Sequence, residues 1–536
     1  MAVRARWLAL VLLPAVAMPL CGAEPPVVDA STFLDRSLPD CGFQKAINSL
    51  PPGGGVVQLP EGRFVLERYL FLRSGTTLRG RGRATVLSVG KPEIRRNVAQ
   101  DTKAGSTEVP LDGDPIGLEP GMIAYAWRFR VPSWMGYIKH CRVRAVRGRT
   151  VVLEEPSKYD LLLRNQSQLS WGLTTALAAP AKKGEKTIQV EHPRLLPPGY
   201  ALAFSGKGDI WDHHFNAVVS AEGDTLTLER PLTVDAPKGT LVHHAYCMIT
   251  ADGQEHIGVE ELDVAGWPSP EKPVIGRFYF SGIHTVRCSH VRVRNVHVRD
   301  WQADGISIQA GEDARVEDCT AERNRGHGFH SGTGFRDGEW LGLQATDNGA
   351  DGFYYCWHDV NVNVRNSLLA DNGGHGIGGL GNPGDRRCTV EGNTITGNGR
   401  AGVCVNGGMD SGSVLRGNTI RDNSKAKPGA WPGIALFASA EDARGYTVEN
   451  NIVESTLAEP TQHVGIEERH GKPMRAEVER NGKKVVQTKI ADANTIRANR
   501  LSGHRKADIV LVGPSTVCEN NGEAKVIRKP PPDDAP

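Results

Sequence analysis

The chain has 536 residues, a formal net charge of +2 and 62 glycines, about 12 % against a usual ~7 %. Hydrophobic residues make up 39 % and aromatics 6 %, enough to bury a sizeable core, which excludes a wholly disordered chain. Abundant glycine and short apolar runs argue against a helical bundle. The near-zero charge argues against a general nucleic-acid binder, which needs a clustered basic face.

Arg4 and Arg6 precede an apolar run from Trp7 to Leu20, interrupted by Pro14, and Gly22 and Ala23 supply small residues before Glu24. This pattern predicts a cleaved signal peptide over residues 1–23 and a secreted or periplasmic protein. The run is too short to cross a bilayer, and no later stretch is longer, so no stable membrane insertion is expected. Leu20 stands before Cys21 where a lipid-attachment site wants Gly, Ala or Ser, which disfavours a lipid anchor. The other nine cysteines form no CxxC pair, so no zinc site of the usual type is expected. Most of them read as buried small hydrophobes.

Residues 24–88 contain FQKAINSLPPGGGVVQLPEGRFVLERYLFLRSGTTLRG, from Phe43 to Gly80. This segment resembles the start of the pectin-lyase-like superfamily of right-handed parallel β-helices. The resemblance implies a capping helix over Gln44 to Leu50, a turn at Gly53 to Gly55 and a first strand from Val56 to Leu59. It also implies an all-β solenoid related to polysaccharide lyases, polygalacturonase-type hydrolases, uronan epimerases and phage tailspikes.

Residues 89–248 carry a different, duplicated unit. Gly105, Pro120-Gly121, Val146 and Thr150 to Leu153 match Gly184, Pro198-Gly199, Val219 and Thr225 to Leu228, at offsets of 79, 78, 73 and 75 residues. Each copy reads as a small antiparallel β unit, inserted as a cleft wall or as decoration. His213-His214 and His243-His244 are neighbours that point to opposite strand faces, and both pairs are expected on the insertion's surface.

Residues 249–455 are organised by a repeat of about 24 residues. Gly followed by an apolar residue recurs at Gly282, Gly305, Gly328, Gly352, Gly376, Gly402 and Gly433, in steps of 23, 23, 24, 24, 26 and 31. Asn324, Asn348, Asn372, Asn398 and Asn423 fall at one phase, and Asn366, Asn393, Asn418 and Asn451 at another. Such turns cannot bury a face alone, so they stack into a solenoid with asparagines at its bends. No LxxLxL pattern is present, which excludes a leucine-rich repeat. The resemblance extends over residues 251–520 and implies a right-handed parallel β-helix. Residues 456–522 read as further coils with a hairpin insertion, and residues 523–536 as a disordered tail.

Alternation along the repeat strand turns the residue after each Gly inward and the next one outward. The outward column reads His284, Ser307, His330, Tyr354, Gly378 and Cys404; two residues on it reads Gln309, Gly332, Cys356, Leu380 and Asn406. Before each Gly stand Asp304, His327, Asp351 and His375, with Trp357, His358 and Asp359 at the rim. With coils about 4.8 Å apart, these residues gather on one side of the solenoid. Asp before Gly is also an ordinary turn residue.

Three functions fit such a patch, each with a polysaccharide as partner and a monomer as the expected state. In the first, an acidic polymer is cleaved by β-elimination, with His330 as base, Tyr354 as acid and Arg336, Arg386 or Arg387 beside the substrate carboxylate. Tyr355, Trp357 and His358 are expected to bind sugar. In the second, Asp304 and Asp351, roughly 9.6 Å apart by coil spacing, act with His375 in inverting hydrolysis. The run from Gly374 to Gly381 is similar to the polygalacturonase His motif, but Asp351 is followed by Gly352 where that family pairs two aspartates. In the third, the face is a non-catalytic glycan-binding or adhesin surface. Pectate lyases of this fold use calcium and a catalytic Arg. No matching carboxylate cluster is found, so no metal or cofactor is assigned.

Overall fold

The computed structural model describes residues 24–530 except 91–93, 129–136, 173, 206–212, 245–246, 267–280, 302, 472–473 and 481–482. The expected signal segment, residues 1–23, lies outside the described residues.

The chain is a right-handed parallel β-helix whose coils present three strand faces. One face is a sheet of twelve strands running from Leu70–Phe71 through Ile249–Asp252, Ile283–Val286, Ile306–Gln309, Phe329–Ser331, Phe353–Tyr355 and Ile377–Leu380 to Val526–Arg528. The other two faces share a 21-stranded sheet. Early coils turn its corner inside long strands such as Ser289–Arg299, whereas later ones divide there, as in Glu312–Glu317 and Thr320–Glu322. The interior is a stack of like residues. Phe329, Phe353, Ile377, Val403 and Ile434 lie rung over rung and fully buried.

Two buried asparagine ladders follow the two bends of the 21-stranded sheet. At the first bend Asp318, Asn366 and Asn450 have left-handed backbones, and at the second Asp300, Asp347, Asp371 and Asp422 do. Short polar side chains tolerate that geometry. The next residue enters the core. Nδ2 of Asn324 donates to Oδ1 of Asn348 at 3.0 Å, Asn348 to Asn372 at 2.9 Å, Asn372 to Asn398 at 2.9 Å and Asn398 to Asn423 at 2.8 Å. Gln462 ends this ladder by accepting from Asn423 at 3.2 Å. The second ladder runs from Asn393 through Asn418, Asn451 and Asn499 to Asn521. Asn366 is not a rung, contrary to its expected phase. It occupies the bend, and Ser367 stands at the rung, donating its amide to Asn393.

The first end of the solenoid is covered by the helix Phe43–Asn48. Gln44 ties it down, donating from Nε2 to the Phe71 carbonyl at 3.0 Å and accepting from the Phe71 amide at 2.8 Å. The duplicated segment leaves after Thr76–Val89 and returns at Ile249–Asp252, which pairs with Leu70–Phe71 as the next rung. Each copy folds into six strands in the same spatial order: first, sixth, third, fourth, fifth, second. Three of the four paired histidines are not the surface groups expected, and the side chain of His213 lies outside the described residues. His214, His243 and His244 are buried, and His243 Nδ1 meets Tyr125 of the first copy at 3.0 Å and Thr174 at 2.9 Å. Burial at the junction between copies satisfies a ring that strand alternation alone sends to solvent.

An antiparallel hairpin, Met474–Arg480 with Lys483–Gln487, interrupts the last coils. The expected disordered tail is partly ordered. Val526–Arg528 pairs with Ala507–Leu511, and Ile527 packs on Val464, Ala507 and Val510; residues 531–536 lie outside the described residues. Among the described residues nine cysteines are unbridged, six of them buried. No described helix is long and apolar enough to cross a membrane.

The ladders generate a test. Asn372→Ala leaves the Asn348 amide and side chain without their acceptor in the dry core. A cost of about 1–3 kcal/mol per stranded group is expected, read as a lower unfolding midpoint in heat or urea.

Candidate functional site

The predicted register is observed in the twelve-stranded sheet. His284 pairs with Ser307, Ser307 with His330, His330 with Tyr354 and Tyr354 with Gly378. Two of these side chains and the acids at the preceding bends build a trough.

His330 is 4 % exposed, and its Nδ1 lies 2.7 Å from Oδ2 of Asp304, itself 4 % exposed. The second carboxylate oxygen of Asp304 accepts the His327 amide at 2.7 Å. Burial alone would drive the His330 ring neutral. The hydrogen bond and charge of Asp304, followed by those of Cys356, outweigh it and raise the pKa to about 10. Burial likewise works to raise Asp304, but the His330 hydrogen bond and charge hold it below the usual carboxylate range. The pair is therefore carboxylate and imidazolium at neutral pH.

Tyr354 forms the next rung. Its ring stacks on His327 at 4.4 Å between centroids and meets His330 edge-on at 5.2 Å. Burial, and then the charges of Cys356 and Asp351, push the phenol well above its ordinary range, so it keeps its proton. His327 is held neutral by burial, and its Nδ1 accepts the Asp351 amide at 3.2 Å. Asp351 repeats the Asp304 arrangement two coils on, its Oδ1 accepting the His375 amide at 2.6 Å. A Cβ on Gly378 would stand 2.3 Å from Oδ2 of Asp351, and one on Gly326 would stand 2.2 Å from Oδ1 of Asp304. These glycines are the space the carboxylates occupy. His375 is buried edge-on to Trp431 at 4.9 Å, and burial lowers its pKa to about 4.

Several expected positions are corrected. Tyr355 is fully buried in the core rather than facing the trough: its hydroxyl donates to the Val362 carbonyl at 3.3 Å. It follows an outward residue, so alternation turns it inward. Asp359 is not at the rim but fully buried. Leu380 also faces the core, because Gly379, at φ 75, inserts a bulge after Gly378. Arg336, Arg386 and Arg387 are exposed, but they lie beyond the bend: Arg336 begins Arg336–Leu341, and Arg386 bridges to Val360 on the adjoining face. Trp357 is 53 % exposed, and His358, also exposed, has a left-handed backbone.

The structure adds groups that sequence reasoning left out. Cys356, half-buried, has its sulfur 3.1 Å from the Thr333 hydroxyl. Asn382 Nδ2 reaches Tyr354 Oη at 3.4 Å. The Arg400 guanidinium lies 5.9 Å from the Trp431 ring, beside His375. The only sequence signal for Cys356 is its outward parity, two residues after Tyr354.

The insertion closes the upstream end. Phe215 of the second copy packs on His284 at 5.5 Å, and burial lowers that imidazole to about 3. A cavity of about 640 Å³, lined by Phe71, Phe215, Arg230, Asp252 and Arg287, separates this copy from the helix. Among the described residues no group of three or more His, Cys, Asp or Glu side chains is arranged to hold a metal ion.

The family model of the right-handed β-helix region matches residues 281–456 and 351–522. Among solved structures, the chain is similar to the A-module of mannuronan C-5 epimerase AlgE6 from Azotobacter vinelandii, at 15 % identity over 94 % of this chain and 100 % of that one, with a TM-score of 0.46. The AlgE4 A-module of the same organism matches at 14 % identity over 92 % and 100 %, with a TM-score of 0.46. The catalytic domain of a GH87 α-1,3-glucanase in complex with nigerose matches at 10 % identity over 96 % and 65 %, with a TM-score of 0.41. No curated protein matches the chain.

The buried pair links stability to pH. His330 has a folded pKa of about 10 against an ordinary 6.5. Its contribution is whole below about pH 6.5 and is lost as pH rises through about 10. The stability advantage of wild type over His330→Gln is expected to shrink across that window in urea unfolding.

Proposed function

We propose that this right-handed parallel β-helix protein is a carbohydrate-active enzyme that cleaves an acidic polysaccharide by β-elimination in the trough around His330 and Tyr354. The observation that carries this reading is the buried Asp304 and His330 ion pair beside a protonated phenol. Burying a charged pair is costly, and a solvated strand face has no use for one. A strongly perturbed pair next to the half-buried Tyr354 and Cys356 is a candidate for proton chemistry.

Elimination from a uronate needs removal of the proton next to the carboxylate and protonation of the leaving oxygen. Tyr354 keeps its proton and is the acid for that oxygen. The role of His330 differs from the expected base. Asp304 keeps the ring protonated until about pH 10, so at neutral pH it is a fixed cation facing the charge that develops on the uronate. Arg400 takes the carboxylate-binding role expected of Arg336, Arg386 and Arg387, because it lies on the trough side, near His375 and Trp431. Trp357, largely exposed, is a platform for a sugar ring.

Inverting hydrolysis is less well supported. One carboxylate oxygen of Asp304 and one of Asp351 each hold a backbone amide, and Asp304 stays ionised, so it has no proton to give. The enzyme acts as a monomer on exported or periplasmic polymer in this reading.

The test is a screen of the purified protein on uronic-acid, sulfated and neutral polysaccharides. Unsaturated ends, read by ultraviolet absorbance, are expected from an acidic polymer. Tyr354→Phe and His330→Gln are each expected to lower turnover about 100-fold or more. Reducing ends without unsaturation would mean hydrolysis, and tight binding without products would mean a glycan-binding surface; either result overturns the proposal.

A further inference from the structure

The proposed elimination lacks a base once His330 is seen to hold its proton. Nδ1 of His330 is committed to Asp304, and the ring lies near the Cys356 thiol. His327 already accepts an amide on Nδ1, so its remaining nitrogen bears the proton. His375 is buried beneath Trp431.

The geometry assigns Cys356 as the proton acceptor of the proposed reaction: it is a half-buried thiol beside the Asp304 and His330 pair and on the outward side of the strand that carries Tyr354. This inference rests on the elimination reading and adds a catalytic residue to it. The sulfur lies 3.1 Å from the Thr333 hydroxyl, and the His330 ring and the Trp357 amide are its other polar neighbours. Asp304 orients the imidazole, as the third member of a nucleophile and base pair does elsewhere. Cys356 is half-buried and reachable, unlike the six buried cysteines. It stands two residues from Tyr354 on the same outward parity, roughly 6.6 Å along the chain. The base and the acid therefore flank neighbouring atoms of one sugar.

The charges around the sulfur favour the thiolate. Burial opposes it, but the His330 hydrogen bond and charge, with Thr333 and the Trp357 amide, lower the thiol below its ordinary value. Two acids lie close. Asp359 accepts the Cys356 amide at 3.0 Å, and Asp385 accepts the Asp359 amide at 2.8 Å. Burial raises Asp385 to about 9 and pushes Asp359 well above the usual carboxylate range, so both keep their protons and do not repel the thiolate. Tyr354, the remaining titratable neighbour, is also neutral.

In the step, the thiolate takes the hydrogen next to the uronate carboxylate: an S–H bond forms and a C–H bond breaks. The electron pair forms the ring double bond and expels the glycosidic oxygen, which takes the Tyr354 proton. The Cys356 thiol and the Tyr354 phenolate then exchange one proton, directly or through water, which restores the starting state.

The test uses the full protein and two readouts. Iodoacetamide labelling across pH, mapped by peptide mass, compares Cys356 with Cys518, a half-buried thiol that burial pushes up. At pH 7 Cys356 is expected to react about tenfold faster, with a labelling midpoint below that of Cys518. His330→Gln should move the midpoint upward. On the polymer found by the screen, Cys356→Ala and Cys356→Ser should lose turnover about 100-fold. The acid limb of the wild-type rate profile should follow the labelling midpoint. An active Cys356→Ala enzyme, or a Cys356 that titrates with Cys518, overturns the base assignment while the His330 and Tyr354 reading stands. Absence of unsaturated product from wild type on every polymer overturns both.

Discussion

A buried backbone amide needs an acceptor, and at the bends of this solenoid the acceptor is the asparagine one coil away. Each ladder residue donates from Nδ2 and accepts an amide on Oδ1, so no rung can slip without stranding groups in a dry interior. The ladder thus holds consecutive coils in one register over the coils that carry the trough. Everything proposed about chemistry depends on that register, because His330 meets Tyr354 through a rung pairing and meets Asp304 across 26 residues of chain.

The trough uses the same device with carboxylates in place of amides. Asp304 and Asp351 each cap an amide on the following coil, and a glycine vacates the space each needs. A turn residue and a residue that tunes histidine are here one and the same. The expected conflict between a structural and a functional aspartate dissolves at Asp304: one oxygen fixes the bend and the other fixes the charge on His330. Glycine and aspartate therefore serve the fold and the site together, and neither can be exchanged for the benefit of one alone.

The insertion shows how a solenoid acquires an end to its groove. A bare β-helix offers an open face along its length. Here the second β unit lays Phe215 on His284 and Arg230 over Phe71 at 3.7 Å, so the outward column is covered at its upstream end. The covered imidazole becomes a neutral packing residue, while the one two rungs away is an ion. Identical residue types in one column differ because His330 hydrogen-bonds the Asp304 carboxylate, while His284 is packed under Phe215.

The spacing of Gly305, Gly328, Gly352 and Gly376 was enough to place His330 over Tyr354, since a period of one coil and an alternation of two leave little freedom. The same alternation already contained the inward turn of Tyr355, which its aromatic character had obscured. Asn366 was one residue out because bend and rung are adjacent and both accept asparagine. What no local pattern held was the approach of Thr333 and His330 to one sulfur, or the position of Arg400 beside Trp431. Period and parity are properties of neighbouring residues along the chain, so the sequence determined coil, face and column. Proton affinity is set by burial and by charges brought close through stacking, so only the tertiary structure decided which group holds the proton.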